Sequence, residues 1–199
     1  MPVNGIVHTG SAEALRRIAH LPSTTDSIRL SELGLPSQEL LAPVLSAGLD
    51  QLAAEIIGGP VACRLEHSWL RKRFAPRNAP PGHHPNSWHQ DGGLGVKFPP
   101  APGALPPMTR LVTCWITLDA CGRDAPGLEL IRHPLDTLLH FTELDDEKLR
   151  QRFIAEDFWS PELEPGDTLV MAPGVLHRTY VRPEMRHDRL SVEFRFFPA

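Results

Sequence analysis

Seven residues near the C-terminus, Arg189-Leu190-Ser191-Val192-Glu193-Phe194-Arg195, alternate between polar and apolar side chains. A period of two sorts them cleanly. Arg189, Ser191, Glu193 and Arg195 fall on one face and Leu190, Val192 and Phe194 on the other, which predicts a strand. The same reading predicts strands at 61–74, 110–119, 128–132, 168–172 and 177–182, with a helix at 145–156 carrying Leu149 and Phe153. Turn signals such as Glu164-Pro165-Gly166-Asp167 separate them. Many short strands joined by Pro/Gly turns build a jelly roll or barrel, so the chain is expected to be mainly β. The first third reads helical instead. Ser11 is placed to cap a short helix burying Leu15 and Ile18. Residues 43–57 put Leu45, Leu49, Leu52 and Ile56 on one face, ahead of Gly58-Gly59-Pro60.

With 199 residues, 41% apolar and 22% charged, the chain is expected to form one domain, residues 1–199, with a real core. A formal net charge of -4 and a pI near 6.2 argue against general binding to nucleic acid or anionic membranes. The local exception is Arg71-Lys72-Arg73 with Arg77, which reads as a solvated strand end or, alternatively, as a group that meets an acidic substrate. Cys63, Cys114 and Cys121 make no even disulfide framework, and Met1-Pro2-Val3-Asn4-Gly5 carries no basic or apolar leader. A cytoplasmic protein is expected.

One triplet carries chemistry. His89-Gln90-Asp91 places an imidazole and a carboxylate two residues apart, on the same side of an extended segment. With ten histidines in the chain the triplet alone is weak. Its setting is stronger, because His177 follows the turn at 164–167 and the apolar strand at 168–172. Two histidines and one carboxylate form the donor set that holds non-haem Fe(II) and leaves positions open for reactants. Arg189 followed by Ser191 suits a carboxylate ligand, with a bidentate fork and one further donor.

Four pieces, in order, resemble the phytanoyl-CoA dioxygenase family of Fe(II)/2-oxoglutarate oxygenases. They are Ser87-Trp88-His89-Gln90-Asp91-Gly92-Gly93; Val112-Thr113-Cys114-Trp115-Ile116-Thr117-Leu118-Asp119 leading to Ala125-Pro126-Gly127-Leu128-Glu129-Leu130; Pro165-Gly166-Asp167 with the strand into His177; and Arg189-Leu190-Ser191. The resemblance implies a double-stranded β-helix, cupin-like, with N-terminal and inserted helices packed on one sheet. It also implies Fe(II) on His89, Asp91 and His177, and 2-oxoglutarate as cosubstrate, its far carboxylate on Arg189 and Ser191 with Thr113 in reach. O2 would be the oxidant and a small organic molecule, an amino acid or natural-product intermediate, the substrate. Succinate and CO2 would be released. The carboxylate of Asp91 favours hydroxylation or another oxidation over halogenation. The chain departs from the family at Arg132-His133-Pro134, where Pro-Gly-Ser-His is common. Arg186 also stands near the expected oxoglutarate arginine, although the Arg-x-Ser pattern favours Arg189.

Trp88, Gln90, Trp115 and Arg195 are the expected substrate contacts, and 93–105 within the Pro/Gly-rich segment 75–107 is the expected mobile lid. Two other readings compete. A demethylase of the AlkB type shares His-x-Asp and an Arg-x5-Arg spacing like Arg189 to Arg195, but the acidic balance weighs against it. A non-oxidative metal cupin, an isomerase or sugar-binding module, has no need of Arg189 with Ser191.

Overall fold

The computed structural model describes residues 4–18 and 26–199. Eleven strands among the described residues form two antiparallel sheets. The strands are β1 Asn4–His8, β2 Ser27–Arg29, β3 Val61–Cys63, β4 Trp69–Arg73, β5 His89–Gln90, β6 Val112–Thr117, β7 Gly127–Ile131, β8 Phe158–Trp159, β9 Asp167–Met171, β10 Leu176–Tyr180 and β11 Arg189–Pro198. The larger sheet runs β1-β9-β6-β11-β4-β2, with β3 also paired to β11; the smaller runs β5-β10-β7-β8. Four α-helices accompany them: α1 Ala12–Ile18, α2 Ser37–Ser46, α3 Leu49–Ile57 and α4 Asp146–Arg152. This is the double-stranded β-helix expected from the sequence.

The alternation read at 189–195 sets the layering. Val192, Phe194 and Phe196 of β11 turn outward with Leu70, Val112, Cys114, Ile116 and Val170. Leu15, Leu40, Val44, Leu49 and Ala53 of the N-terminal helices close over them as one core. Burying each such aliphatic side chain stabilises by roughly 1.5–3 kcal/mol before chain entropy is counted. The opposite faces of β6 and β9 give a second cluster inside the barrel, with Trp115, Leu128, Leu130, Leu169 and Met171. Leu149 of α4 packs with Trp88, Ile131, Leu139 and Leu176 on the outer side of the smaller sheet.

The structure corrects several sequence boundaries. The helix expected at 43–57 is two helices meeting at 77°, because Gly48 takes φ +70° and breaks the ladder. The amphipathic stripe therefore splits: Leu49 is buried, Leu45 is exposed, and Leu52 and Ile56 lie between. Gly58, at φ +78°, ends α3 as expected. The strand expected at 61–74 is interrupted by a 3-10 turn at Leu65–His67. In α1, Leu15 donates its N–H to the Ser11 carbonyl, while the Ser11 hydroxyl bonds that of Thr9. Leu15 is buried as expected, and the Ile18 side chain lies outside the described residues. Strands β1, β2 and β8 were not expected; they are short and lack a full alternation. Among the described residues no single helix is long and apolar enough to cross a membrane.

Candidate active site

Sheet register assembles the donors. His89 of β5 stands directly opposite His177 of β10, so both rings leave the same face of the smaller sheet, 4.2 Å apart between centroids. Asp91, two residues on, projects to that same side. Donor atoms of His89, Asp91 and His177 all lie within 4.8 Å of one another, a geometry that suits one metal ion.

Each donor is held in the state that binding requires. His89 Nδ1 lies 2.7 Å from the Ser87 carbonyl, and His177 Nδ1 lies 3.1 Å from that of Val175. A carbonyl only accepts, so both Nδ1 atoms carry a proton, which leaves Nε2 as the ring nitrogen that would meet a metal. Burial pushes the His89 pKa down to about 4, helped by the nearby His177, so the ring is neutral at physiological pH. Asp91 is fixed at both oxygens: Arg195 Nη2 donates to Oδ1 at 2.8 Å and the Thr113 hydroxyl to Oδ2 at 2.5 Å. Burial alone would raise its pKa, but the Arg195 guanidinium, the two imidazoles and the Thr113 hydroxyl hold the carboxyl well below its ordinary range. Arg195 and Thr113 are themselves cross-strand partners on β11 and β6, so the larger sheet presents both donors side by side.

Arg189 is fully buried on the inward face of β11, its guanidinium 4.8 Å over the Trp115 ring and its Nη1 donating to Ser191 Oγ at 2.6 Å. No carboxylate lies within ion-pair distance among the described residues, and its Nε has no partner. Burial lowers its pKa to about 10, so it remains a cation at neutral pH. Arg186, the competing position, is exposed.

A narrow inner cavity joins these groups. It is lined by His89, Asp91, His177, Arg189, Thr113, Trp115 and Glu193, together with Arg71, Arg73 and Asn86. An open cleft of about 400 Å³ reaches His89 and Asp91 from outside, past Arg71, Asn86, Ser87, Gln90, Leu94 and Arg195. A larger hollow of about 550 Å³, lined by Asp119, Cys121, Asp124 and Glu162 among others, holds none of the triad.

Of the expected substrate contacts, Trp88 lines neither the cavity nor the cleft. Trp88 alternates with His89 and so turns outward, into the core under α4, where its Nε1 donates to Asp146. Gln90 lines the open cleft, while its amide is taken up by the backbone of Thr137, Leu139 and Gly174. Thr113 and Arg195 reach Asp91 before they reach any ligand. Trp115 does wall the cavity, beneath Arg189. Gly92 answers to packing rather than to a bound group, since a Cβ there would sit 2.9 Å from the Pro173 carbonyl oxygen. Arg71 and Arg73 were read first as a solvated strand end. Arg73 is buried and both line the cavity, because they alternate along β4 with Leu70, which points to the helix side. The Trp69-Leu70-Arg71 alternation was the signal.

A double-stranded β-helix with two histidines and a buried aspartate converging at one cavity defines the class as a jelly-roll protein equipped for a non-haem metal. The chain belongs to the phytanoyl-CoA dioxygenase (PhyH) family, whose model matches residues 23–181; members are non-haem iron, 2-oxoglutarate-dependent enzymes. Three solved structures share the fold. EctD from S. alaskensis, with 2-oxoglutarate and 5-hydroxyectoine, superposes with TM-score 0.67 at 16% identity, covering 99% of this chain and 72% of that one. The epimerase SnoN, in complex with Fe3+, alpha ketoglutarate and nogalamycin RO, gives 0.63 at 15%, covering 98% and 80%. EvdO2 from Micromonospora carbonacea var. aurantiaca gives 0.59 at 18%, covering 87% of this chain but only 66% of that one. No curated protein matches the sequence.

Proposed function

We propose that this chain oxidises a small organic molecule with Fe(II), 2-oxoglutarate and O2, using His89, Asp91 and His177 as the metal ligands and Arg189 with Ser191 as the cosubstrate anchor. One observation carries the reading: a pair of Nδ1-capped imidazoles and a doubly bonded carboxylate converge beside a buried guanidinium that lacks an anion. The donor set is the one non-haem Fe(II) takes, with open positions remaining. When bound, iron and 2-oxoglutarate supply the oxidising chemistry, in which O2 and 2-oxoglutarate become succinate and CO2 while the substrate is oxidised.

The protein's own contribution is placement. Arg195 and Thr113 hold Asp91 ionised and fix its rotamer, so the carboxylate meets the metal without rearranging. Ser87 and Val175 hold the imidazoles by their Nδ1 protons. Arg189 sits in a dry environment where a carboxylate gains far more from it than in water, and Ser191 stiffens its fork. Trp115 excludes water beneath the guanidinium. The neighbours' names include a hydroxylated product and an epimerase, so the shared fold leaves the oxidative outcome to the substrate's own contacts.

Incubating the protein with Fe(II), 2-oxoglutarate and O2 tests this. Succinate should form slowly without substrate, and His89→Ala or His177→Ala should abolish it while the circular dichroism spectrum stays native. Full succinate formation by either variant would sink the ligand assignment.

A further inference from the structure

We propose that the molecule oxidised carries an oxyanion, a carboxylate or a phosphate, and that Arg71 is the residue that holds it. The proposal rests on the reading of the triad as an Fe(II)/2-oxoglutarate centre and goes further, to the substrate.

The first observation is where Arg71 stands. It lines both the inner cavity and the open cleft, so it lies where a molecule entering from outside meets the triad. It shares the inward face of the larger sheet with the cosubstrate anchor, since Arg71 pairs with Ser191 and Arg73 with Arg189 across β4 and β11.

The second is how Arg71 is held. Its Nε donates to Glu193 Oε1 at 2.7 Å, and its guanidinium lies 4.8 Å over the Trp69 ring. These two contacts fix the plane of the group, and neither Nη has a partner among the described residues. A guanidinium clamped on one edge and free on the other is a ready fork for a planar carboxylate or a phosphate. Asn86 stands beside it: its Oδ1 accepts from Arg73 Nη2 at 2.9 Å, which leaves its NH2 as a further donor.

The third is charge. Four guanidinium groups, of Arg71, Arg73, Arg189 and Arg195, line the cavity and cleft against the carboxylates of Asp91 and Glu193. Asp91 is engaged by Arg195, and Glu193 is divided between Arg71 and Arg195. Arg73 has the half-exposed Asp26 at 3.8 Å. A divalent metal adds two positive charges and the dianion 2-oxoglutarate removes two, so the excess present in the protein alone persists in the loaded site. Glu193, shared by two arginines, leaves the group short of counter-charge, and the arginine with donors open to the cleft is Arg71. A neutral substrate would leave that fork unpaired; an anionic one satisfies it and is positioned against the metal at once.

Fluorine NMR on the anaerobic protein loaded with Fe(II) and saturating 2-oxoglutarate tests this without knowing the substrate. The probes are trifluoroacetate for a carboxylate, monofluorophosphate for a phosphate, and trifluoroethanol as the neutral control. Paramagnetic broadening of at least one anion, and not of the alcohol, is expected, and which anion broadens separates the two chemistries. Arg71→Gln should weaken that anion's binding at least about tenfold, and Arg71→Lys should keep part of it. Equal response of the alcohol, no broadening of either anion, or broadening indifferent to both Arg71 variants overturns the proposal. The visible Fe(II)–2-oxoglutarate band, recorded on the same samples, separates the two levels of the argument. Its absence from the wild type would sink the oxygenase reading itself. Its loss only in Arg71→Gln and Arg71→Lys would place Arg71 in the cosubstrate site and overturn the substrate role.

Discussion

Arg189 shows most plainly how a residue here sacrifices stability for binding. A buried cation without an anion is unfavourable in the protein alone, and replacing such a group with an apolar one of similar size is often neutral or stabilising. Arg189→Met is therefore expected to leave the melting temperature of the metal-free protein unchanged or raised. The same variant should lose most of the added stability that Fe(II) with 2-oxoglutarate confers, since removing a buried charge partner costs about 2–5 kcal/mol of binding. Ser191→Ala should lose less, on the order of 1 kcal/mol. Thermal melts with and without ligand measure both, and a destabilised metal-free Arg189→Met with intact 2-oxoglutarate response would contradict the assignment. At this scale side-chain type and spacing singled out His89, Asp91, His177 and Arg189, which the fold brings to one cavity. The sequence misled where a side chain's partner comes from a distant strand. Nothing near Thr113 or Arg195 indicates that both end on Asp91, because that meeting depends on β6 and β11 lying side by side opposite β5. The place of Trp88 was legible in principle, since the alternation that turns His89 inward turns Trp88 outward.

Among the elements, apolar or alternating runs closed by turn signals were read to within a residue or two, as β6, β7, β9 and β10 show, and β11 was read at its start, Arg189. Short pieces defined by pairing alone, β1, β2 and β8, were invisible because Asn4–His8, Ser27–Arg29 and Phe158–Trp159 hold neither a full alternation nor a sustained apolar run. The helix at 43–57 failed at Gly48, whose positive φ broke a stripe that looked continuous. The irregular segment at 93–105 is held at few points: the Pro99 carbonyl accepts from His140 Nε2 at 2.9 Å, Phe98 meets the rings of His140 and Phe141 edge-on, and the Leu94 carbonyl accepts from the Thr109 hydroxyl. Leu94 lines the cleft. The segment is expected to behave as a lid that tightens over substrate. Hydrogen exchange measures it: protection across 93–105 should rise only when Fe(II), 2-oxoglutarate and substrate are all present, and identical exchange in every state would remove the idea.

For the molecule as a whole, the two sheets divide the labour between stability and chemistry. The outer face of the larger sheet, closed by the N-terminal helices, is mainly apolar, with Lys72 and Thr168 among its few polar positions, and the inner face carries arginines and carboxylates around the triad. Cys63, Cys114 and Cys121 belong to the packed regions and form no disulfide. Burial pushes the Cys63 thiol up to about 11 and raises those of Cys114 and Cys121 as well. All three are therefore protonated at pH 8 and poor nucleophiles. Iodoacetamide at pH 8 should label none of them quickly in the native protein and all three in denaturant; rapid native labelling would show that this packing is not what the molecule has in solution. The central claim is that His89, Asp91 and His177 hold iron while Arg189 receives 2-oxoglutarate at the same centre. Anaerobic addition of Fe(II) and then 2-oxoglutarate, followed by visible absorption, tests it most directly. A weak charge-transfer band is expected in the wild-type protein, absent in His177→Ala and requiring far more 2-oxoglutarate in Arg189→Ala. No band in the wild type, or an undiminished band in His177→Ala, would contradict the account.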